Sequence, residues 1–169
     1  EEDPTIRYSR DQQTHDLLLA GQGQMHIEVT VAKLKRRFGV EVDLKPPHIP
    51  YRETITAAAD AHGRHKKQTG GSGQFAEVWI KFEPLERGSG FVFEDKTVGG
   101  SVPREYVPSV EKGLRIQLED DVLARFPTVD FKATLVDGSY HDVDSNALTF
   151  EIAAKAAFRE AMKKAGPIL

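Results

Sequence analysis

One segment of the chain, residues 24–38, repeats its apolar positions with the period of an α-helix. The apolar side chains that share one face, at spacings of four, three and four, are Ile27, Val31, Leu34 and Phe38. Basic residues occupy the last turn, where they oppose the negative end of the helix dipole, and Gly39 follows directly. The pattern predicts a helix over residues 24–38 that the glycine ends in the left-handed conformation.

Short strands are predicted around this helix, at residues 5–9, 14–20 and 40–44. The proline-rich segment at residues 45–50 can form neither a helix nor an inner strand. We therefore predict a domain boundary there.

Strict alternation of side chains in the second region is typical of a strand with one buried face. The positions predicted to be buried are Ala76, Val78, Ile80 and Phe82. Further strands are predicted at residues 51–60, 91–94 and 129–135, and helices at residues 108–118 and 145–165. Ser145 would cap the last helix, whose alanines permit close packing against a sheet.

Composition narrows the classes of protein that this chain can represent. Its 169 residues suit one or two domains, and the absence of cysteine excludes disulfides and thiolate chemistry. No apolar run approaches the roughly 18 residues that cross a bilayer, so we expect no membrane association. The absence of cysteine fits a reducing cytoplasm, and we expect a cytoplasmic location. The net charge of -3 argues against a protein that coats nucleic acid, and confines such contact to a patch.

Residues 62–75 contain both a group of basic residues and a group of glycines. The basic residues without an acidic neighbour in sequence are Arg64, Lys66 and Lys67, and the glycines that let backbone N–H groups approach a ligand are Gly70, Gly71 and Gly73. The local excess of positive charge points to an anionic partner such as a nucleic-acid backbone. Glycine pairs are also common in plain hairpin connections, so a purely structural turn is the alternative.

A second polar loop, residues 138–145, lies between a predicted strand and a predicted helix. His141 could contact RNA from the tip of this loop, or it could simply face solvent. With Asp142 and Asp144 it could form a metal-dependent enzyme site, but no fourth ligand is in view and we predict no metal site. The simpler role for Asp144 and Ser145 is helix capping.

Several segments of the chain resemble elongation factor G, a bacterial translational GTPase. They are Glu2-Asp3-Pro4-Thr5, Gly21-x-Gly23-x-x-His26-x-Glu28, Tyr51-Arg52-Glu53-Thr54-Ile55, residues 67–75 and residues 138–145. The resemblance implies a fragment of a longer protein. The implied fold class is α+β. Residues 1–47 would be the latter part of domain III, a ferredoxin-like α+β unit without its first strand and helix. Residues 48–169 would be domain IV, with a fold similar to ribosomal protein S5 domain 2 and a left-handed βαβ crossover.

The resemblance also implies a function. Domain IV would be an arm that enters the decoding region of the small ribosomal subunit, touches rRNA, tRNA and mRNA, and promotes translocation. We name the two loops implied to make contact the glycine loop, residues 65–74, and the histidine loop, residues 137–144. The implied RNA- and ribosome-binding residues are Arg64, His65, Lys66, Lys67, Gln68, Gly70, Gly71, Ser72, Gly73, Gln74, Gly138, Ser139, Tyr140, His141 and Asp142.

No P-loop motif occurs in the chain, so we expect it to be no enzyme alone and to need no cofactor. GTP and Mg would belong to the GTPase domain of the parent protein. Other partners would be the parent's remaining domains, and the incomplete first domain should expose apolar surface or recruit a second copy. The family's usual loop arginine is Ser72 here and its usual tyrosine is Phe75.

Two other functions remain open at this point. The chain could come from an elongation factor G-like paralogue that acts in ribosome recycling. It could also be a free-standing RNA-binding module that uses Gly70-x-x-Gly73 as a KH-like clamp, which requires helices on both sides of the glycine turn.

Overall fold

The computed structural model describes residues 3–12, 14–68, 71, 73–119 and 126–169. It divides the chain into two compact units, Glu1–Pro50 and Tyr51–Leu169. No helix that it describes is long and apolar enough to cross a membrane.

Unit 1 consists of a hairpin and a helix. Strands β1 (Arg7–Arg10) and β2 (Leu17–Ala20) pair antiparallel, and helix α1 follows at Gln24–Phe38. Gly39 takes the left-handed conformation with φ 67°, and its N–H donates to the carbonyl of Lys35 over 3.0 Å. The predicted helix and its glycine stop are therefore confirmed, and both predicted strands are present in shortened form.

The strand predicted at residues 40–44 is wrong. In the part of unit 1 that the structure describes, β1 and β2 pair only with each other, and no strand pairs with residues 40–44. The segment is instead tied to α1, where Lys35 Nζ lies 2.6 Å from Glu41 Oε1. No hydrophobic side chain among the described residues of unit 1 is fully buried, so the expected recruitment of a second copy stays a prediction.

Unit 2 is a sheet with helices on one face. Its elements are β3 (Thr54–Ile55), β4 (Ala59–Lys67), β5 (Gln74–Pro84), β6 (Phe91–Asp95), α2 (Val107–Glu119), β7 (Phe131–Ser139), α3 (Ala147–Lys164) and β8 (Pro167–Ile168). The main sheet has the order β4-β5-β7-β6, and β3 pairs with β8 separately. β6 and β7 are parallel and are joined through α2, whereas the other pairs of the main sheet are antiparallel. The predicted α+β fold is confirmed.

The core of unit 2 lies between the sheet and α3. Helix α3 packs on β4 and β5, and α2 packs on α3. All the predicted core residues of β5 are buried: Ala76, Val78, Ile80 and Phe82. Four alanines of α3 are buried as well, which allows the helix backbone to approach the sheet: Ala153, Ala154, Ala157 and Ala161.

The strand predicted at residues 51–60 is wrong in its bounds. The structure has a short β3, then an interruption, then β4, which continues through Gly63 to Lys67. Glycine does not end the strand because Gly63 pairs with Val78 of β5 and faces α3. The basic residues therefore lie mostly on a strand, and the turn itself is shorter than the sequence suggests.

Asp130 makes the start of β6 sensitive to acid. Its Oδ1 accepts a hydrogen bond from the Gly90 N–H over 2.8 Å, which is the main cause of a pKa below the ordinary value of 3.8. Since the pKa is lower in the folded protein, the carboxylate stabilises the fold above about pH 4. This contribution is lost as the pH falls through the folded pKa.

We expect Asp130→Asn to reduce the loss of stability on acidification, because the amide oxygen can still accept the bond and does not titrate. Urea unfolding at pH 7 and at successive values below pH 4 measures this loss. If the free energy of unfolding falls equally below pH 4 in the parent and the variant, Asp130 does not make the fold sensitive to acid.

Candidate nucleic-acid interface

The glycine loop and the histidine loop lie side by side at one end of the main sheet. β4 and β5 form a hairpin whose turn falls between Lys67 and Gln74. β7 runs antiparallel to β5 and ends at Ser139, opposite Glu77 near the start of β5. The chain therefore leaves β7 at the same end of the sheet at which the hairpin turns.

Direct hydrogen bonds hold the two loops together. The N–H of Phe75 donates to the carbonyl of Asp144 over 2.9 Å. The Ser145 hydroxyl donates to the carbonyl of Phe75 over 2.6 Å and accepts from the N–H of His141 over 2.8 Å. The Phe75 and His141 rings meet edge to face, with centroids 6.3 Å apart. These bonds make one rigid tip out of segments that are about 70 residues apart in the chain.

Close packing favours glycine at position 138. A Cβ built on Gly138 would lie 2.2 Å from a methyl group of the buried Val102 and 2.9 Å from the backbone carbonyl oxygen of Glu77. A Cβ built on Gly73 would lie 2.8 Å from the Asp144 carboxylate, which can rotate away because it is the end of a flexible side chain. Gly138 therefore shapes the tip through its size.

His141 presents its side chain to solvent at this tip. The side chain is 66% exposed, and its Nδ1 lies 3.8 Å from Asp144 Oδ2. Tyr140 and Asp142 beside it are exposed too, and Ser139 is half-buried. The imidazole is therefore free to contact a molecule that docks on the tip.

The expected capping by Asp144 and Ser145 is wrong. Asn146 caps α3: its side chain accepts from the N–H of Thr149 over 2.9 Å, and the Thr149 side chain accepts from the N–H of Asn146. Asp144 and Ser145 instead face the glycine loop. The preference of serine for caps could not reveal a partner so distant in sequence.

The sequence neighbours of Arg64 suggest that its charge is unpaired. In the structure, however, the Arg64 guanidinium pairs with a carboxylate. Its Nε lies 2.9 Å from Oε1 of Glu77, whose side chain is 16% exposed. Strand pairing sets Arg64 directly opposite Glu77, which sequence adjacency does not show. In the part of the chain that the structure describes, Lys66 and Lys67 make no ion pair and supply the free positive charge of the hairpin.

Two models of known protein families match consecutive parts of the chain. The model described as "Elongation Factor G, domain III" matches residues 1–46, and "Elongation factor G, domain IV" matches residues 47–166. The chain belongs to the elongation factor G family.

Relatives and a solved structure agree with this assignment. Elongation factor G of Granulibacter bethesdensis is 58% identical over 166 residues, covering 98% of this chain and 24% of the relative. Elongation factor G of Gluconobacter oxydans is 55% identical over 168 residues, covering 99% of this chain and 24% of the relative. A crystal structure from Thermus thermophilus superimposes with a TM-score of 0.85 at 43% identity, covering 99% of this chain and 25% of that one. The chain spans about a quarter of the length of the curated relatives it matches.

Within this elongation factor G domain IV, the residues predicted to bind RNA fall into different environments. His65 and Gln74 brace the hairpin, since His65 Nε2 lies 2.8 Å from Gln74 Oε1. Gly70 and Ser72 lie outside the described residues, and Gly71 is exposed. The predicted residues with exposed side chains are Arg64, Lys66, Lys67, Gln68, Tyr140, His141 and Asp142.

Two of the alternative functions lose their structural basis. Strands β4 and β5 flank the glycine turn, whereas a KH-like clamp requires helices there. Within the described ranges, no group of three histidine, cysteine or acidic residues could hold a metal ion. His141, Asp142 and Asp144 are described residues and do not form such a group.

Proposed function

We propose that this chain is the ribosome-entering arm of an elongation factor G-type GTPase. The observation that carries the proposal is the joining of the glycine loop and the histidine loop at one end of a rigid sheet. An arm that enters a phosphate-lined cleft must present its contacting groups together and hold them firmly. The membership of the elongation factor G family supports the same function.

The tip carries groups suited to a tRNA–mRNA surface. Lys66 and Lys67 are exposed and supply positive charge for phosphate oxygens. His141 and Tyr140 can donate hydrogen bonds and stack on unpaired bases. The acidic balance of the whole chain limits nonspecific adhesion to nucleic acid.

The catalytic work would take place elsewhere in the parent factor. The chain has no P-loop, so GTP and Mg would bind in a GTPase domain among the other three quarters of the protein. The arm would convert the resulting movement into displacement of tRNA and mRNA on the cytoplasmic ribosome. No observation favours the alternative role in ribosome recycling.

Replacing His141 with alanine in the full-length factor tests this proposal. We expect translocation to slow about tenfold, which corresponds to the loss of one tip contact of roughly 1.4 kcal/mol. The exposed side chain contributes little to packing, so the melting temperature and GTP hydrolysis should hardly change. Stopped-flow fluorescence of labelled mRNA measures the rate.

Glu86→Ala is the control, because Glu86 is exposed in the turn at the opposite end of the sheet. It should leave translocation unchanged. An unchanged translocation rate for His141→Ala, or equal slowing by both variants, would contradict the proposed role of the tip in translocation.

A further inference from the structure

The main sheet of unit 2 carries an aromatic pair on the face away from the helices. His62 of β4 lies directly opposite Trp79 of β5, and their rings stack with centroids 4.4 Å apart and planes at 17°. Trp79 is the single tryptophan of the chain and is 36% exposed, although alternate residues of the same strand are buried. An exposed, preformed stack of this kind is a surface on which a further ring can be placed.

The position of His62 in the sheet leaves one side of its ring open. β4 is at the edge of the main sheet, and Trp79 covers the imidazole from the side of β5. No strand of the described sheet lies beyond β4 on the other side of the ring, and the side chain is 41% exposed. Glu77 Oε1, which pairs with Arg64, lies 3.7 Å from His62 Nε2.

Cationic and polar residues continue from this stack toward the tip. Arg64, Lys66 and Gln68 line one shallow depression on β4 and the turn that follows. Alternate residues of a strand share a face and lie about 6.8 Å apart, so Arg64 and Lys66 share the face of β4 that carries His62, and Gln68 follows directly after the strand. Lys66 has no ion-pair partner among the described residues, which leaves its charge available for an anion.

We propose that this face binds a single-stranded RNA segment, with one unpaired base stacked on the open side of His62 and the backbone phosphates along Lys66 and Gln68. Aromatic stacking combined with a row of cations is the chemistry by which proteins hold unpaired nucleotides. The proposal rests on the arm function and extends it. RNA contact would reach beyond the tip along the edge of the sheet.

A purely structural role for the pair makes a different prediction. Stacked cross-strand rings stabilise a hairpin without any ligand. In that case His62→Ala would lower stability and leave RNA affinity unchanged. The experiment therefore has to measure base recognition separately from phosphate attraction and from folding.

The test compares two anionic probes on the purified 169-residue chain at low salt. Fluorescence anisotropy of labelled octa-adenylate reports binding of bases and phosphates together. Competition by inorganic polyphosphate reports phosphate attraction alone. We expect His62→Ala to weaken octa-adenylate binding about tenfold and to leave polyphosphate binding unchanged, because one stacked base is lost. Lys66→Ala should weaken both, whereas His62→Phe should keep octa-adenylate binding because it keeps a ring.

A site-specific signal and a control complete the design. Octa-adenylate should shift the imidazole proton resonances of His62 upfield through the adenine ring current, and polyphosphate should not. Lys81→Ala is the control, because Lys81 lies on β5 farther from the tip and pairs with Glu83 over 3.0 Å. Equal loss of both probes in His62→Ala, unchanged octa-adenylate affinity, or an unshifted His62 would overturn the proposal.

Failure of this proposal is distinguishable from failure of the arm function. Translocation by the His141→Ala factor depends on the tip and does not require a base on His62. If octa-adenylate leaves the His62 resonances unshifted while His141→Ala slows translocation, the proposed RNA surface at His62 is refuted and the proposed arm function is retained.

Discussion

Alanine at position 63 is expected to destabilise unit 2 by about 3 kcal/mol, at the upper end for a small-to-large change in a packed core. A Cβ on Gly63 would lie 2.0 Å from the carbonyl oxygen of Ala153 and 2.7 Å from the backbone nitrogen of Ala157. Both atoms belong to the backbone of α3, so no side-chain rotation can relieve the clash. The helix would have to move away from the sheet, which would open the core at Phe158 and Ala161.

Urea unfolding followed by the fluorescence of Trp79 measures this effect. Asp60→Ala is the matched control, because Asp60 lies on the exposed face of the same strand. We expect it to change stability by less than about 0.5 kcal/mol. If Gly63→Ala unfolds at the same urea concentration as the parent, the close packing of β4 on α3 is refuted.

Removal of the Ser145 hydroxyl is expected to loosen the contact between the two loops of the tip, although the bond from the Phe75 N–H to the Asp144 carbonyl remains. The hydroxyl makes one hydrogen bond to the Phe75 carbonyl and one to the His141 N–H, so alanine removes both. The half-buried carbonyl of Phe75 would lose this donor, which costs about 1–3 kcal/mol. In the full-length factor the tip would become mobile, and translocation should slow while GTP hydrolysis continues.

Thermal unfolding and hydrogen exchange test this prediction at two levels. The melting temperature should fall, and the amide of His141 should exchange faster because its acceptor is gone. Ser89→Ala is the control, since Ser89 is exposed in the turn at the far end of the sheet and its hydroxyl makes no hydrogen bond within the described residues. Slow His141 exchange in Ser145→Ala would show that the loops are held by something else.

Local patterns predicted the regular elements well. The helix at Gln24–Phe38 follows from apolar spacing and a terminal glycine, and the buried face of β5 follows from alternation. Both signals come from residues a few positions apart, which sequence shows directly. The strand predicted at residues 40–44 was wrong because a strand needs a neighbouring strand, and composition does not supply one.

The sequence indicated the two loops of the candidate site, but it did not reveal the ion pair and the hydrogen bonds that join its residues. Both loops stood out by charge, glycine and polar side chains, and their role in RNA contact stays a proposal. The pairing of Arg64 with Glu77 and the bridge made by Ser145 could not be predicted, because each joins residues brought together by strand register. The His62–Trp79 stack went unnoticed for the same reason.

The sequence by itself determined the family, the α+β class and the two segments that form the tip, because these depend on motifs and on local periodicity. Only the tertiary structure decided which charges remain free, which serine joins the loops and which glycine lets α3 approach the sheet. Those properties depend on distances between atoms far apart in the chain, and such distances are fixed only when the strands pair and the helices pack.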